Sequence, residues 1–220
     1  MTLHFETDGA ALHAGAALPL LDPLHALAAS APADRAGVRL HGQPALAVLL
    51  EHGPIAAIAS ARLGAPARPV RAVLFDKSPA NNWALGWHQD RTVAVRERRD
   101  VPSYGTWSIK QGITYVEPPF AVIERMATLR IHLDPVPEDN APLLVAPGSH
   151  RLGRIPESQI ADTIARCGTA VCLAEAGDVW AYATAVLHAS AGSTRGARRR
   201  VLQVDYVAAP LPGGLEWLGV

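Results

Sequence analysis

The chain has 220 residues, 49% hydrophobic and 18% charged, which suits one globular domain with a single sizeable core. Lys plus Arg and Asp plus Glu number 20 each, so net charge is zero and no charge argument points to nucleic acid. Cys167 and Cys172 form no CxxC pair, and the apolar stretch Ala10 to Leu21 sits among Glu6, Asp8 and Asp22 with no basic segment, against a secretory signal or membrane span. The expectation is one domain over residues 1–220, soluble and cytoplasmic, a monomer or homodimer with no nucleic-acid or membrane partner.

Along the chain, residues 18–30 carry leucines at 18, 20, 21, 24 and 27, a helical stripe that Pro23 interrupts. Residues 44–63 are rich in Ala, Leu and Ile and predict helix with a break at Pro54 after Gly53. Residues 66–69 close this helical part, which spans about 1–69. From Val70 the texture changes. Apolar runs at 70–76, 84–88, 127–134, 142–146, 169–174, 178–183 and 200–208, separated by turn residues, predict strands. A β-rich body over about 70–210, buttressed by N-terminal helices, reads as a mainly β (α+β) jelly roll. The runs Arg96–Asp100 and Ser103–Ile113 predict an exposed loop long enough to serve as a lid.

Two HxD pairs carry metal chemistry in outline: His88 with Asp90, in GWHQD, and His132 with Asp134. With a second histidine, either pair makes a two-histidine, one-carboxylate triad, which leaves positions open for a bidentate co-substrate and O2. The pair alone does not choose. His188 ends an apolar run that follows the Gly177–Asp178 turn, and Arg199 opens another run eleven residues later. A guanidinium there suits bidentate capture of a carboxylate, and Ser190 can donate a hydroxyl to the same group. Strand alternation turns Arg199 away from the face of Arg198 and Arg200, and the spacing favours Arg199 as the inward one.

The stretches NNWALGWHQD (81–90), DNAPLLVAPGSHRLGRI (139–155) and GDVWAYATAVLHAS with RRRVLQVDY (within 177–206) resemble the phytanoyl-CoA dioxygenase family in motif, order and spacing. The resemblance covers roughly residues 70–206. It implies a double-stranded β-helix, Fe(II) held by His88, Asp90 and His188, and 2-oxoglutarate held by Ser190 and Arg199. It also implies use of O2 to hydroxylate or desaturate the substrate, and a short chain with no evident lipid- or CoA-binding module points to a small molecule, such as an amino acid or natural-product intermediate. A carboxylate at Asp90 favours this over halogenation, since related halogenases leave that position empty for chloride. On the same ground His132 with Asp134 is a decoy and His150 is structural.

Two departures stand out: Ala141 replaces a usual glycine, and Arg130 stands where many relatives place an aromatic facing the co-substrate. Trp83, Lys77 and Asn82 precede the first motif and, with Arg130, are expected to flank the substrate side of the cavity. Trp180 and Tyr182 are expected to be packing residues. Two other readings fit the residues: a cupin-type metal enzyme without 2-oxoglutarate, which would bring more histidines and need no Arg199, and a catalytically silent jelly-roll binding protein.

Overall fold

The front third contains two strands that its composition hides. The computed structural model describes residues 2–32, 35 and 37–220. In chain order this part runs Phe5–Asp8 (α1), Ala10–His13 (β1), Leu21–Ser30 (α2), Gly37–Leu40 (β2), Pro44–Glu51 (α3) and Gly53–Leu63 (α4). Pro23 falls in the first turn of α2, where no backbone N–H is required, so it does not interrupt the helix. The break between α3 and α4 falls at extended His52, just before Gly53 and Pro54, and bends the pair by 54°.

The body continues with Arg68–Lys77 (β3), Leu85–His88 (β4), Val93–Val95 (β5), Gly105–Lys110 (β6), Ile113–Glu117 (β7) and Phe120–Ile123 (α5). Met126–His132 (β8), Leu143–Val145 (β9), Ile160–Cys167 (α6) and Ala170–Cys172 (β10) follow, then Val179–Ala183 (β11), His188–Ser190 (β12) and Arg199–Val207 (β13). Arg96–Asp100 is an exposed loop as expected, but most of Ser103–Ile113 is instead part of a hairpin. β6 and β7 join β5 in a three-stranded sheet, closed by a two-residue turn at Gln111–Gly112 with φ of 53° and 78°.

Two antiparallel sheets make the jelly roll. The larger has the order β1-β11-β8-β13-β3-β2, and the smaller has the order β10-β9-β12-β4. Alternation sorts the larger sheet's residues by face. Ala72, Leu74, Leu129, Ile131, Leu202 and Val204 form the outer face, and Leu24, Leu46, Leu50, Ile55 and Ala59 of α2, α3 and α4 pack over them. The α3–α4 pair is thus spent on the core. Among the described residues no single helix is long and apolar enough to cross a membrane.

The inner face carries polar rows instead. Register places Thr128, Asp205 and Arg71 across from one another, then Arg130, Gln203, Val73 and Arg39, and finally Arg199 with Lys77. Buried polar side chains on a sheet face need partners or a ligand, which marks this face as the site.

Candidate active site

β4 and β12 are neighbours in the smaller sheet, and His88 lies directly across from His188, with ring centroids 4.3 Å apart. Asp90 follows two residues later. Potential ligand atoms of His88, Asp90 and His188 all lie within 4.8 Å of one another, the single such group among the described residues. His132 and Asp134 are separated instead. His132 is buried inside, both ring nitrogens without a partner, while Asp134 pairs with Arg200 at 2.6 Å.

The motif residues between and around the triad hold it in place. Gln89 turns away from the site and clamps three backbone groups: its amide donates to Ala185 (2.7 Å) and Gly153 (3.0 Å) and accepts from the Ile155 N–H (2.9 Å). Ser149 of PGSH is fully buried and accepts from the Leu187 N–H at 2.9 Å, fixing the approach to His188. The His150 ring occupies the space that a Cβ on Gly9 would need, a packing role.

Each triad histidine turns Nδ1 to a carbonyl two residues back, His88 to Gly86 at 2.8 Å and His188 to Val186 at 3.0 Å. This leaves Nε2 facing the shared space as a lone-pair donor. Burial lowers His188 to about 4, so its imidazole is neutral at ordinary pH. Burial works the other way on Asp90, but the Arg71 guanidinium at 3.1 Å leads the opposing effects that hold the carboxyl at about 2. Arg71 also pairs with Asp205 at 2.5 Å, which accepts from Thr128 at 3.0 Å. Two imidazoles, that of His188 neutral, beside an ionised carboxylate form a donor set suited to a divalent transition metal.

The triad opens into a cavity of about 460 Å³, whose deep end is cationic. Arg199 and Lys77 are each 1% exposed and Arg130 5%, and among the described residues none meets a carboxylate. The Lys77 ammonium lies 3.3 Å from Ser190 Oγ, donates to the Ala191 carbonyl at 2.8 Å and sits 4.8 Å from the Trp83 ring centre. Arg199 and Ser190 both donate to the Ala141 carbonyl, at 2.7 and 3.1 Å. Ala141 has φ 55°, the left-handed conformation that explains the usual glycine there. Burial and two neighbouring guanidinium groups pull Lys77 down to about 7; burial and Arg130 lower Arg199 to about 9.

Arg198 and Arg200 point outward to Asp76 and Asp134, each at 2.6 Å, so the parity argument for Arg199 holds. Trp83, Lys77 and Arg130 line the cavity. Asn82 does not: its amide bonds the Ser193 backbone on both sides, at 2.8 Å each, and ties two loops together. Trp180 donates to the Leu173 carbonyl and is packed, as is Tyr182 against His188. Sequence reasoning missed Arg71, Phe75, Gln203, Arg39 and Lys110, all of which line the cavity. Odd-number parity with Lys77 could have found Arg71 and Phe75. Arg39 lies on a strand that the helical texture concealed.

The sequence profile described as phytanoyl-CoA dioxygenase matches residues 25–201. The chain therefore belongs to the phytanoyl-CoA dioxygenase family, a class of non-haem iron, 2-oxoglutarate-dependent oxygenases. No curated protein sequence matches it significantly. Among solved structures it is similar to EctD from S. alaskensis with 2-oxoglutarate and 5-hydroxyectoine (22% identity, 98% of this chain and 77% of that one, TM-score 0.68). It is also similar to the non-heme alpha-ketoglutarate-dependent epimerase SnoN from nogalamycin biosynthesis (16%, 98% and 92%, TM-score 0.67). A third is HygX from Streptomyces hygroscopicus with nickel and 2-oxoglutarate bound (15%, 93% and 85%, TM-score 0.63). At these identities the likeness establishes the shared fold.

Proposed function

We propose that the protein is an Fe(II)- and 2-oxoglutarate-dependent dioxygenase that hydroxylates or desaturates a small molecule, with His88, Asp90 and His188 as the metal ligands. The observation that carries this is one cavity with a two-histidine, ionised-carboxylate triad at one wall and three buried basic side chains without a carboxylate partner among the described residues. Two of the similar structures add support from their own ligands: EctD holds 2-oxoglutarate, and HygX holds nickel and 2-oxoglutarate. A cupin-type site without 2-oxoglutarate would leave Arg199 and Lys77 buried, charged and without purpose, which costs stability.

Bound at the triad with 2-oxoglutarate and O2, iron supplies the oxidising chemistry, coupling decarboxylation of the co-substrate to succinate and CO2 with oxidation of a substrate C–H bond. The chain's own work is placement. His88 and His188 present Nε2; Arg71 keeps Asp90 ionised and oriented. Arg199, Lys77 and the Ser190 hydroxyl take the distal carboxylate of the co-substrate, a role for Lys77 on the co-substrate side instead of the expected substrate side. Phe75 and Trp83 wall the cavity and limit water. A cavity of this size fits a small molecule.

Anaerobic addition of Fe(II) and 2-oxoglutarate is expected to give a weak visible charge-transfer band and, with O2, slow succinate release. Asp90→Ala should abolish both. Undiminished succinate release by that variant would rule out the ligand assignment.

A further inference from the structure

The cavity has a second basic feature that the reaction above does not use. Arg39 of β2 and Lys110 at the end of β6 both line it, at its rim: Lys110 is exposed and Arg39 half-buried, unlike the deep cations. The two come from segments far apart in sequence, and the structure bolts them together. Gln111, beside Lys110, accepts from the Arg39 backbone N–H at 3.1 Å and donates to the Gly37 carbonyl at 2.8 Å. Both cations sit on the buried Tyr115 ring, Arg39 at 5.6 Å and Lys110 at 5.1 Å from its centre, and Arg39 Nε donates to the Tyr115 hydroxyl at 3.1 Å.

Among the described residues neither Arg39 nor Lys110 meets a carboxylate, and unlike exposed arginines without one, such as Arg68 and Arg166, they converge on one cavity. The ring attracts each cation, but the two repel one another, and a bound anion would relieve that repulsion. Burial, then Arg39 and Arg71, lowers the Lys110 ammonium pKa, consistent with that crowding. Phe75, Trp83 and Leu85, the last 47% exposed, give the same cavity an apolar lining.

We propose that the primary substrate is a small organic acid whose carboxylate or phosphate is held by Arg39 and Lys110 while its apolar body lies along Phe75, Trp83 and Leu85 toward the triad. This rests on the oxygenase reading, since it takes the triad as the reacting end. A guanidinium fork beside an ammonium matches either acid, and neither matches a neutral or cationic group.

The test is calorimetric titration, without O2, of protein loaded with Fe(II) and saturating 2-oxoglutarate. Probes are 4-phenylbutyrate and phenyl phosphate, each set against a neutral partner, 4-phenylbutyramide and phenol. At least one acid is expected to bind about tenfold or more tightly than its partner, and which one separates carboxylate from phosphate. Arg39→Gln and Lys110→Met should each remove most of that preference, and Lys110→Arg should retain it. Lys110 is exposed, so an unchanged Tm of its variants checks the fold if Arg39→Gln does not fold. Acids that bind no better than their neutral partners, or a preference that survives in Lys110→Met, would overturn the proposal. The visible band is recorded on the same samples. A band without acid preference sinks only the rim site; acid preference without a band sinks the oxygenase reading and leaves the rim site standing.

Discussion

Lys77 and Arg199 face each other across β3 and β13, and each is all but sealed from water. With Lys77 pulled down to about 7, the empty site holds a mixture of ammonium and amine at neutral pH. An anionic co-substrate favours the ammonium, so the bound form has a pKa above 7. By linkage, affinity is full below pH 7 and falls as pH rises through 7, by up to about tenfold per unit, until the bound pKa is reached. The Kd for 2-oxoglutarate, from the anaerobic titration between pH 6 and 8.5, should therefore rise with pH. Lys77→Arg, charged throughout, should flatten the curve. A wild-type slope no steeper than that of Lys77→Arg would exclude Lys77 as a co-substrate residue.

The Asn140–Ala141 turn between β8 and β9 shows how one backbone conformation serves two side chains. Its left-handed Ala141 aims a single carbonyl at both Arg199 and Ser190. That conformation costs a residue bearing a Cβ roughly 1–2 kcal/mol, and glycine's greater unfolded freedom takes back roughly 0.5–1. Ala141→Gly should therefore raise stability by up to about 1.5 kcal/mol in urea denaturation, and a loss of stability would show that the Ala141 methyl is a needed core contact. Other elements were legible from sequence to different degrees. Strands such as β8 and β13 announce themselves by apolar runs, and the triad by linked motifs whose ends the ladder brings together. β1 and β2 were illegible because four residues among Ala, Leu and Gly carry no period; only pairing with β11 and β3 makes them strands. The β6–β7 hairpin carries strand-forming residues in GTWSIK and ITYVE around Gln111–Gly112, and it was missed because the charged run at 96–100 drew the whole segment into a loop. Arg71 was missed because its partners, Asp90 and Asp205, are distant in sequence and meet only after both sheets form.

At the scale of the whole molecule, Arg71 is the cross-tie. It stands on the larger sheet and grips Asp90, which follows β4 of the smaller sheet, together with Asp205 on β13. Without it two carboxylates remain buried beside each other. Arg71→Met should cost about 3–5 kcal/mol in denaturant unfolding, and adding Asp205→Asn should recover part of the loss. A cost below about 1 kcal/mol would mean that water already serves those carboxylates. The Gln111 bolt has a consequence of another kind. β2 is the last strand of the six, and the Arg39 N–H and Gly37 carbonyl bound by Gln111 are backbone groups of that outermost strand. A single side-chain amide thus imitates a seventh strand, offering one acceptor and one donor where a neighbouring chain would otherwise dock. The hairpin that brings Lys110 to the cavity also guards the sheet's open border against self-association and strand exchange.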